Sequence, residues 1–278
     1  MDSEQHAFCP LEPAPTLALI ERLQSDRRYR DMHRQFFVEG VRNVVTAADH
    51  GFTVDALVYS ERLLIAPVAR RLVRNLKRAG VPFARVSPEQ FRTISQTEQA
   101  SGVGAVLRQH IRPLPDAGAG CWVALGPVRS LGNLGTLVRT AAATGADGFI
   151  LLDPAVDPFD PAVVRATMGA LFGQRLARAT HQEFAHWARR HRVQVVGASP
   201  DGPVEYDRLR YSRPTAIMLG EERAGLSEAQ RAVCQQLVRI PMVGAVDSLN
   251  LAVAGSLLLY EVFRSARSGC DRSDRPRR

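Results

Sequence analysis

The sequence predicts an α/β protein made of two α/β domains in series, and three observations predict it. From residue 36 to 107, short β-branched and aromatic runs alternate with longer stretches of helical periodicity, as in a small α/β domain with a partly parallel sheet. Residues 111–120 (IRPLPDAGAG) are rich in proline and glycine and break that alternation, so they read as a linker. A second alternation opens at Cys121 and runs to about residue 265. The expected domains are therefore 16–110 and 121–265. Residues 1–15, with three prolines, form a mobile lead-in, and residues 266–278 form a disordered basic tail.

Each element follows from periodicity and its end signals. A helix is expected from Leu17 to His33, with Leu17, Ile20 and Leu23 on one face. Phe36–Gly40 reads as a short buried strand. Val41–His50 is a helix ending at Gly51, Val54–Tyr59 a strand, and Ala66–Ala79 a basic helix ending at Gly80. Pro82–Val86 and Val103–Leu107 are strands flanking a short helix at Pro88–Ile94. In the second domain, strands are expected at 121–126, 148–152, 193–198, 215–219 and 236–240. Helices are expected at 133–145, 160–169, 181–191, 227–234 and 248–265.

Composition narrows the partners. Hydrophobic residues make up 45% of the chain, enough for sizeable cores, and no apolar run approaches the length that spans a bilayer. The start is polar, without a hydrophobic signal segment. Cys9, Cys121, Cys234 and Cys270 lie far apart and form no CxxC or Cys/His cluster, which fits free thiols in the cytoplasm better than disulfides or zinc. The formal net charge is +8, and Lys77 is the one lysine among the basic residues. Guanidinium groups bind phosphate oxygens bidentately, although arginine-biased codon usage also explains the Arg/Lys ratio. The net charge suits a polyanion without proving one.

Three segments stand out. In Gly126–Gly145 a strand enters a glycine-containing loop and then a helix; Asn133 stands at a natural N-cap and Arg139 lies further along an Ala/Thr/Leu-rich face. A lone arginine on such a helix commonly just reaches for water. In Ala216–Ser227 an apolar strand ends at Gly220, two carboxylates follow, and Ser227 caps a helix. Ligands of open parallel sheets gather beyond strand carboxyl ends. In Arg239–Glu261 a strand ends near Pro241, Ser248 caps a long apolar helix, and Ala252, Gly255 and Ser256 permit close helix packing. Neither GxGxxG nor GxxxxGK[ST] is present, which argues against a dinucleotide-dependent oxidoreductase and a P-loop enzyme.

Taken together, Asn133-x-Gly135-x₃-Arg139, Leu219-Gly220-x-Glu222-x₂-Gly225-Leu226-Ser227 and Ile240-Pro241-Met242-x-Gly244-x₃-Ser248-Leu249-Asn250 resemble the SPOUT superfamily. Within it they resemble the TrmH/SpoU family of RNA 2′-O-ribose methyltransferases. Phe37-Val38-Glu39-Gly40 and Ser101–Val106 look like that family's N-terminal L30e-like RNA-binding domain. Arg165-Ala166-Thr167-Met168-Gly169-Ala170 looks like a family turn of the form Arg-Ala-Ser-x-Gly-Ala.

The resemblance implies an α/β fold with an N-terminal L30e-like domain and a C-terminal trefoil-knotted SPOUT methyltransferase domain, an exception to the rule against threaded chains. It implies S-adenosylmethionine as cofactor, held by Gly220, Ile240 and Leu249 with Leu219, Met242 and Ala198 beside them. It makes Arg139 the principal catalytic residue, helped by Asn133, Glu222, Ser248 and Asn250. Because arginine does not readily lose a proton, Arg139 is read as clamping the target phosphate and orienting the hydroxyl, with the proton leaving to phosphate or water. Arg34, Arg42 and Arg165 are candidate RNA contacts, with Arg70, Arg71, Arg74 and Arg78 as further guides. The implied partners are RNA, ribosomal rather than transfer RNA given the extra N-terminal domain, and a second copy of the chain. Ser130, Leu131, Glu221 and Arg223 depart from the family pattern and bear on RNA preference. A non-catalytic RNA-binding or ribosome-assembly protein retaining the fold is the alternative reading.

Overall fold

The computed structural model describes residues 9–270. The chain runs α1 (Pro13–Ser25), α2 (Arg27–His33), β1 (Gln35–Glu39), α3 (Val41–Asp49), β2 (Val54–Tyr59), α4 (Pro67–Arg78), β3 (Phe83–Arg85), α5 (Pro88–Ile94) and β4 (Val103–Arg108). It continues with β5 (Cys121–Leu125), α6 (Leu131–Thr144), β6 (Gly148–Leu151), α7 (Pro161–Ala166), β7 (Arg175–Arg178), α8 (His181–Arg190) and β8 (Gln194–Ala198). Last come β9 (Val204–Glu205), β10 (Thr215–Leu219), α9 (Glu228–Val233), β11 (Gln236–Arg239) and α10 (Leu251–Cys270). Two compact units result: one holds the described residues up to His110 together with Phe159–Phe172, the other Ile111–Pro158 and the chain from Gly173.

The first unit is a four-stranded sheet of order β1-β4-β2-β3, with β4 antiparallel to both neighbours and β2 parallel to β3. Its strands follow a period of two. Ala56 and Val58 of β2 face Leu17, Ile20 and Leu23 of α1, while Leu57 and Tyr59 face Ala69 and Val73 of α4. α1 starts at Pro13, inside the expected lead-in, because proline is tolerated where a helix's first N–H groups have no acceptor. The helix expected over 17–33 is two helices. Asp26 leaves the helical region (φ −119°) and its carboxylate accepts the Tyr29 N–H at 3.2 Å, starting α2.

The segment Phe159–Phe172 follows β6 in sequence yet completes this first core. Phe159 packs on Phe36 with ring centroids 4.7 Å apart, and Phe172 meets Phe52 edge-on at 5.3 Å. The buried Arg30 guanidinium donates to the Leu23 carbonyl at 2.8 Å and lies 3.6 Å from the Asp160 carboxylate. The helix expected over 160–169 is shortened to α7, since Met168 takes a left-handed turn (φ 52°) before a 3₁₀ helix at Ala170–Gly173.

The second unit is a parallel seven-stranded sheet of order β7-β6-β5-β10-β8-β11-β9. β5 and β10 are buried throughout, as strands covered on both faces must be, which explains their unbroken apolar runs. Trp122, Ile150, Phe184, Trp187, Val195 and Met218 form the core on one face. On the other, α10 packs against α6 so closely that a side chain on Gly255 would lie 2.6 Å from Leu137, and Ser256 reaches Thr140 at 2.9 Å. Two strands were not expected. β7 (RLAR) is an edge strand half made of arginine, and β9 is only two residues long.

Two expected caps are corrected. The Ser130 hydroxyl accepts the Asn133 N–H at 3.3 Å, so α6 starts before Asn133 and frees that side chain. Asn250, rather than Ser248, caps α10 by accepting the N–H of Ala252 at 2.9 Å and of Val253 at 3.3 Å. α10 runs on to Cys270, past the boundary expected at 265, and the rest of the expected tail lies outside the described residues. Among the described residues no helix is long and apolar enough to cross a membrane.

Candidate active site

The strand order places the carboxyl ends of β8, β10 and β11 side by side, and a cleft of about 230 Å³ opens there. Ala198 ends β8, Leu219 and Gly220 end β10, Ile240 follows β11, and Met242 and Leu249 come from the loop before α10; all six line the cleft. These are the six residues matched to cofactor binding by sequence. Gly220 is required by close approach: a Cβ there would lie 2.0 Å from the Gly225 carbonyl oxygen. The crowding arises because Glu221 and Gly225 exchange two backbone hydrogen bonds, each 2.9 Å, folding the loop back on itself.

The five residues matched to catalysis divide. Three form a hydrogen-bonded chain. The Glu222 carboxylate, on the cleft wall, accepts the N–H groups of Arg129 and Ser130 at 3.1 Å each and the Asn133 side-chain amide at 3.3 Å. The Asn250 amide donates in turn to the Asn133 carbonyl oxygen at 2.9 Å. Desolvation pushes the Glu222 carboxyl up, but its backbone and Asn133 donors outweigh it and hold the group below its ordinary value. Ser248 lines the cleft nearby. Arg139 does not line it; it lies exposed on α6 with Gly132, Thr136 and Ala143, and makes no hydrogen bond or ion pair among the described residues. Arg34, Arg42 and Arg165 are exposed in the first unit. Arg165 donates to the Gln96 side chain at 3.0 Å, beside a small groove that also holds Glu39, Asn43 and Thr97.

Sequence reasoning missed two groups. Arg129 pairs with Glu221 at 2.6 Å, tying the loop before α6 to the loop after β10. At the cleft rim Arg231 donates to the Ser199 hydroxyl at 2.8 Å and to Asp201 at 3.2 Å. The Ser199 hydrogen bond to Asp201, seconded by Arg231, holds the Asp201 carboxyl down at about 2. The turn Ser199-Pro200-Asp201 after a strand was the one available signal for this group. The cleft itself combines strand-end backbone groups and small apolar side chains, which fit the flat face and polar edge of an adenine. Among the described residues no cluster of His, Cys, Asp or Glu could hold a metal ion.

A parallel α/β sheet with such a cleft at its carboxyl edge, and a Glu222–Asn133–Asn250 chain starting from the cleft wall, fits a methyltransferase fold of the SPOUT type. Comparison with known proteins carries this further. The SpoU rRNA Methylase family model matches residues 121–260, and the MRM3-like substrate binding domain matches residues 15–105. The 23S rRNA (uridine(2479)-2′-O)-methyltransferase of Streptomyces viridochromogenes is 31% identical over 259 residues, covering 90% of this chain and 89% of its own. The 23S rRNA (guanosine(2553)-2′-O)-methyltransferase RlmP of Bacillus subtilis is 27% identical, covering 85% and 91% respectively. The crystal structure of an AdoMet-bound rRNA methyltransferase from Sinorhizobium meliloti superposes with a TM-score of 0.82 at 34% identity, covering 92% of this chain and 98% of that one. The chain belongs to the SpoU rRNA methylase family.

Proposed function

We propose that this chain transfers a methyl group from S-adenosylmethionine to a ribose 2′-hydroxyl of ribosomal RNA. One observation carries the reading: six residues scattered from 198 to 249 converge on a single cleft, and Glu222 on its wall starts a hydrogen-bonded chain through Asn133 to Asn250. The relatives from Streptomyces viridochromogenes and Bacillus subtilis, both 23S rRNA 2′-O-methyltransferases, support the same chemistry and the same class of RNA.

When bound, S-adenosylmethionine supplies an electrophilic methyl group on a cationic sulfonium. The chain's own residues do the rest. Glu222, ionised and immobilised by its donors, fixes the orientation of the Asn133 amide. Asn133 and Asn250 together hold the two loops that carry Ser248 and Glu222 in register. Arg139, exposed and without a hydrogen-bond or ion-pair partner among the described residues, is placed to clamp an RNA phosphate and align the neighbouring hydroxyl. Its guanidinium stays protonated, so the hydroxyl proton leaves to phosphate or water.

The test is methyl transfer to ribosomal RNA with ribose-methylation mapping. Arg139→Ala is expected to lower the rate by about 100-fold or more, while calorimetry finds S-adenosylmethionine binding unchanged. Loss of cofactor binding in that variant would assign Arg139 a structural role instead. Absence of any transfer, with the cofactor still bound, would favour an RNA-binding protein that keeps the fold.

The reading includes a knotted second unit, a homodimer and a cytoplasmic location, where ribosomal RNA is found. α10 supports the dimer, because Val253 and Tyr260 are 48% and 53% exposed on a helix whose Leu251, Ala252, Leu258, Leu259 and Val262 are buried. Sedimentation at twice the chain mass is the check, and a monomer at micromolar concentration would remove this part.

A further inference from the structure

The groove between α4 and β2 in the first unit has no role in the mechanism above. It measures about 640 Å³, and Tyr59, Glu61, Arg70, Arg74, Lys77 and Arg78 are among its lining residues. α4 carries Arg70, Arg71, Arg74, Lys77 and Arg78 within 12 residues and no carboxylate at all. Its apolar side, Ala69 and Val73, is packed on Leu57 and Tyr59, so the backbone bearing the charges is fixed.

Arg71, Arg74 and Arg78 are exposed and make no hydrogen bond or ion pair among the described residues. Their spacing sets them on successive turns along about 10 Å of one helix face. Three exposed arginines elsewhere have carboxylate partners, Arg108 at 2.8 Å from Asp55, Arg175 at 2.9 Å from Asp147 and Arg264 at 2.6 Å from Glu261, whereas α4 has no carboxylate to offer its own. Glu61, the one acid lining the groove, is already paired with Arg85 at 2.7 Å. Lys77 is anchored at the floor, 4.1 Å from the Phe83 ring centroid and 3.3 Å from the Tyr59 hydroxyl. Arg70–Arg74 and Arg74–Arg78 are like-charge pairs at i,i+4, which repel each other along the helix. No acid on α4 offsets this repulsion. A polyanion laid along the groove relieves it.

We propose that the α4 groove is a second RNA-docking surface, gripping a phosphodiester backbone without regard to sequence, separate from the Arg165 groove. The proposal rests on the reading of ribosomal RNA as substrate. It is tested in the full chain with the triple variant Arg71→Gln/Arg74→Gln/Arg78→Gln and a large-subunit ribosomal RNA transcript, by titration across a salt series. Affinity is expected to fall about 10-fold or more, and the log–log salt slope to become shallower by about two to three. Cofactor affinity and the melting temperature should be unchanged; the single variant Arg74→Glu serves as a second probe if the triple variant melts early. Unchanged affinity and slope, in a protein whose parent binds and methylates the transcript, would overturn the groove alone. A parent that neither binds nor methylates ribosomal RNA would overturn the proposed function and this inference with it.

Discussion

Gly220 and Glu222 show how single residues build the cleft. Adding one methyl at Gly220 forces the Gly225 carbonyl away from a position 2.0 Å off, which opens the loop that forms the wall. Gly220→Ala is therefore expected to weaken S-adenosylmethionine binding by about 10-fold or more, equivalent to about 1.4 kcal/mol, while circular dichroism reports an intact fold. Glu222 is held below its ordinary pKa, so the linkage has a definite sign. Its contribution to stability is present above the unfolded carboxyl pKa of about 4.3 and is lost as pH falls through the lower folded value. Replacing it with glutamine should make the acid limb of a melting-temperature profile shallower. An unaltered acid limb would show that the hydrogen bonds to Arg129, Ser130 and Asn133 do not stabilise the ionised form.

At the scale of elements, the loops before α6 and after β10 are joined side chain to backbone and side chain to side chain. Glu222 accepts two N–H groups of the first loop, and Glu221 meets Arg129 across the same seam. Glu221 and Ser130 are departures from the family pattern, and the structure pairs their two loops directly. Arg129 is 71% exposed, and an exposed ion pair contributes only about 0–1 kcal/mol to stability. Arg129→Ala should accordingly leave the melting temperature nearly unchanged but raise KM for S-adenosylmethionine several-fold with a smaller effect on kcat. Arg129→Lys, or the exchange Arg129→Glu with Glu221→Arg, should restore much of it. Equal KM values across the four proteins would reduce the pair to surface decoration. The caps carry a related lesson. Ser130, Asn133, Ser248 and Asn250 are all competent N-caps by residue type, and hydrogen bonds between loops far apart in sequence decide which ones cap.

At the scale of the molecule, the first unit borrows Phe159–Phe172 from the middle of the second alternation. Phe159 is 1% exposed and Phe172 is 4% exposed, against Phe36 and Phe52 of the N-terminal stretch. A fragment ending at His110 loses both rings. It is expected to be destabilised by about 3 kcal/mol or more from their burial alone and to bind a hydrophobic dye, whereas a fragment of native stability would contradict this assignment. The succession of elements was legible because a buried parallel strand shows an unbroken apolar run and an amphipathic helix a helical period, each locally, as β5, β10 and α4 do. The second and third motifs were legible because their residues meet at one cleft, which all six cofactor-matched residues line, whereas Asn133 of the first motif reaches it only through Glu222. β7 and β9 were not legible, since their pairing depends on a neighbouring strand rather than on their own apolar content. The sequence by itself thus determined the α/β class, most elements and the residues gathered at the strand ends, all of which follow from local burial and chain geometry. Only the tertiary structure decided that residues 159–172 join the first core, that Arg129 meets Glu221 and that Asn250 bonds Asn133. Those contacts join positions tens of residues apart or more, and no local pattern of hydrophobicity encodes them.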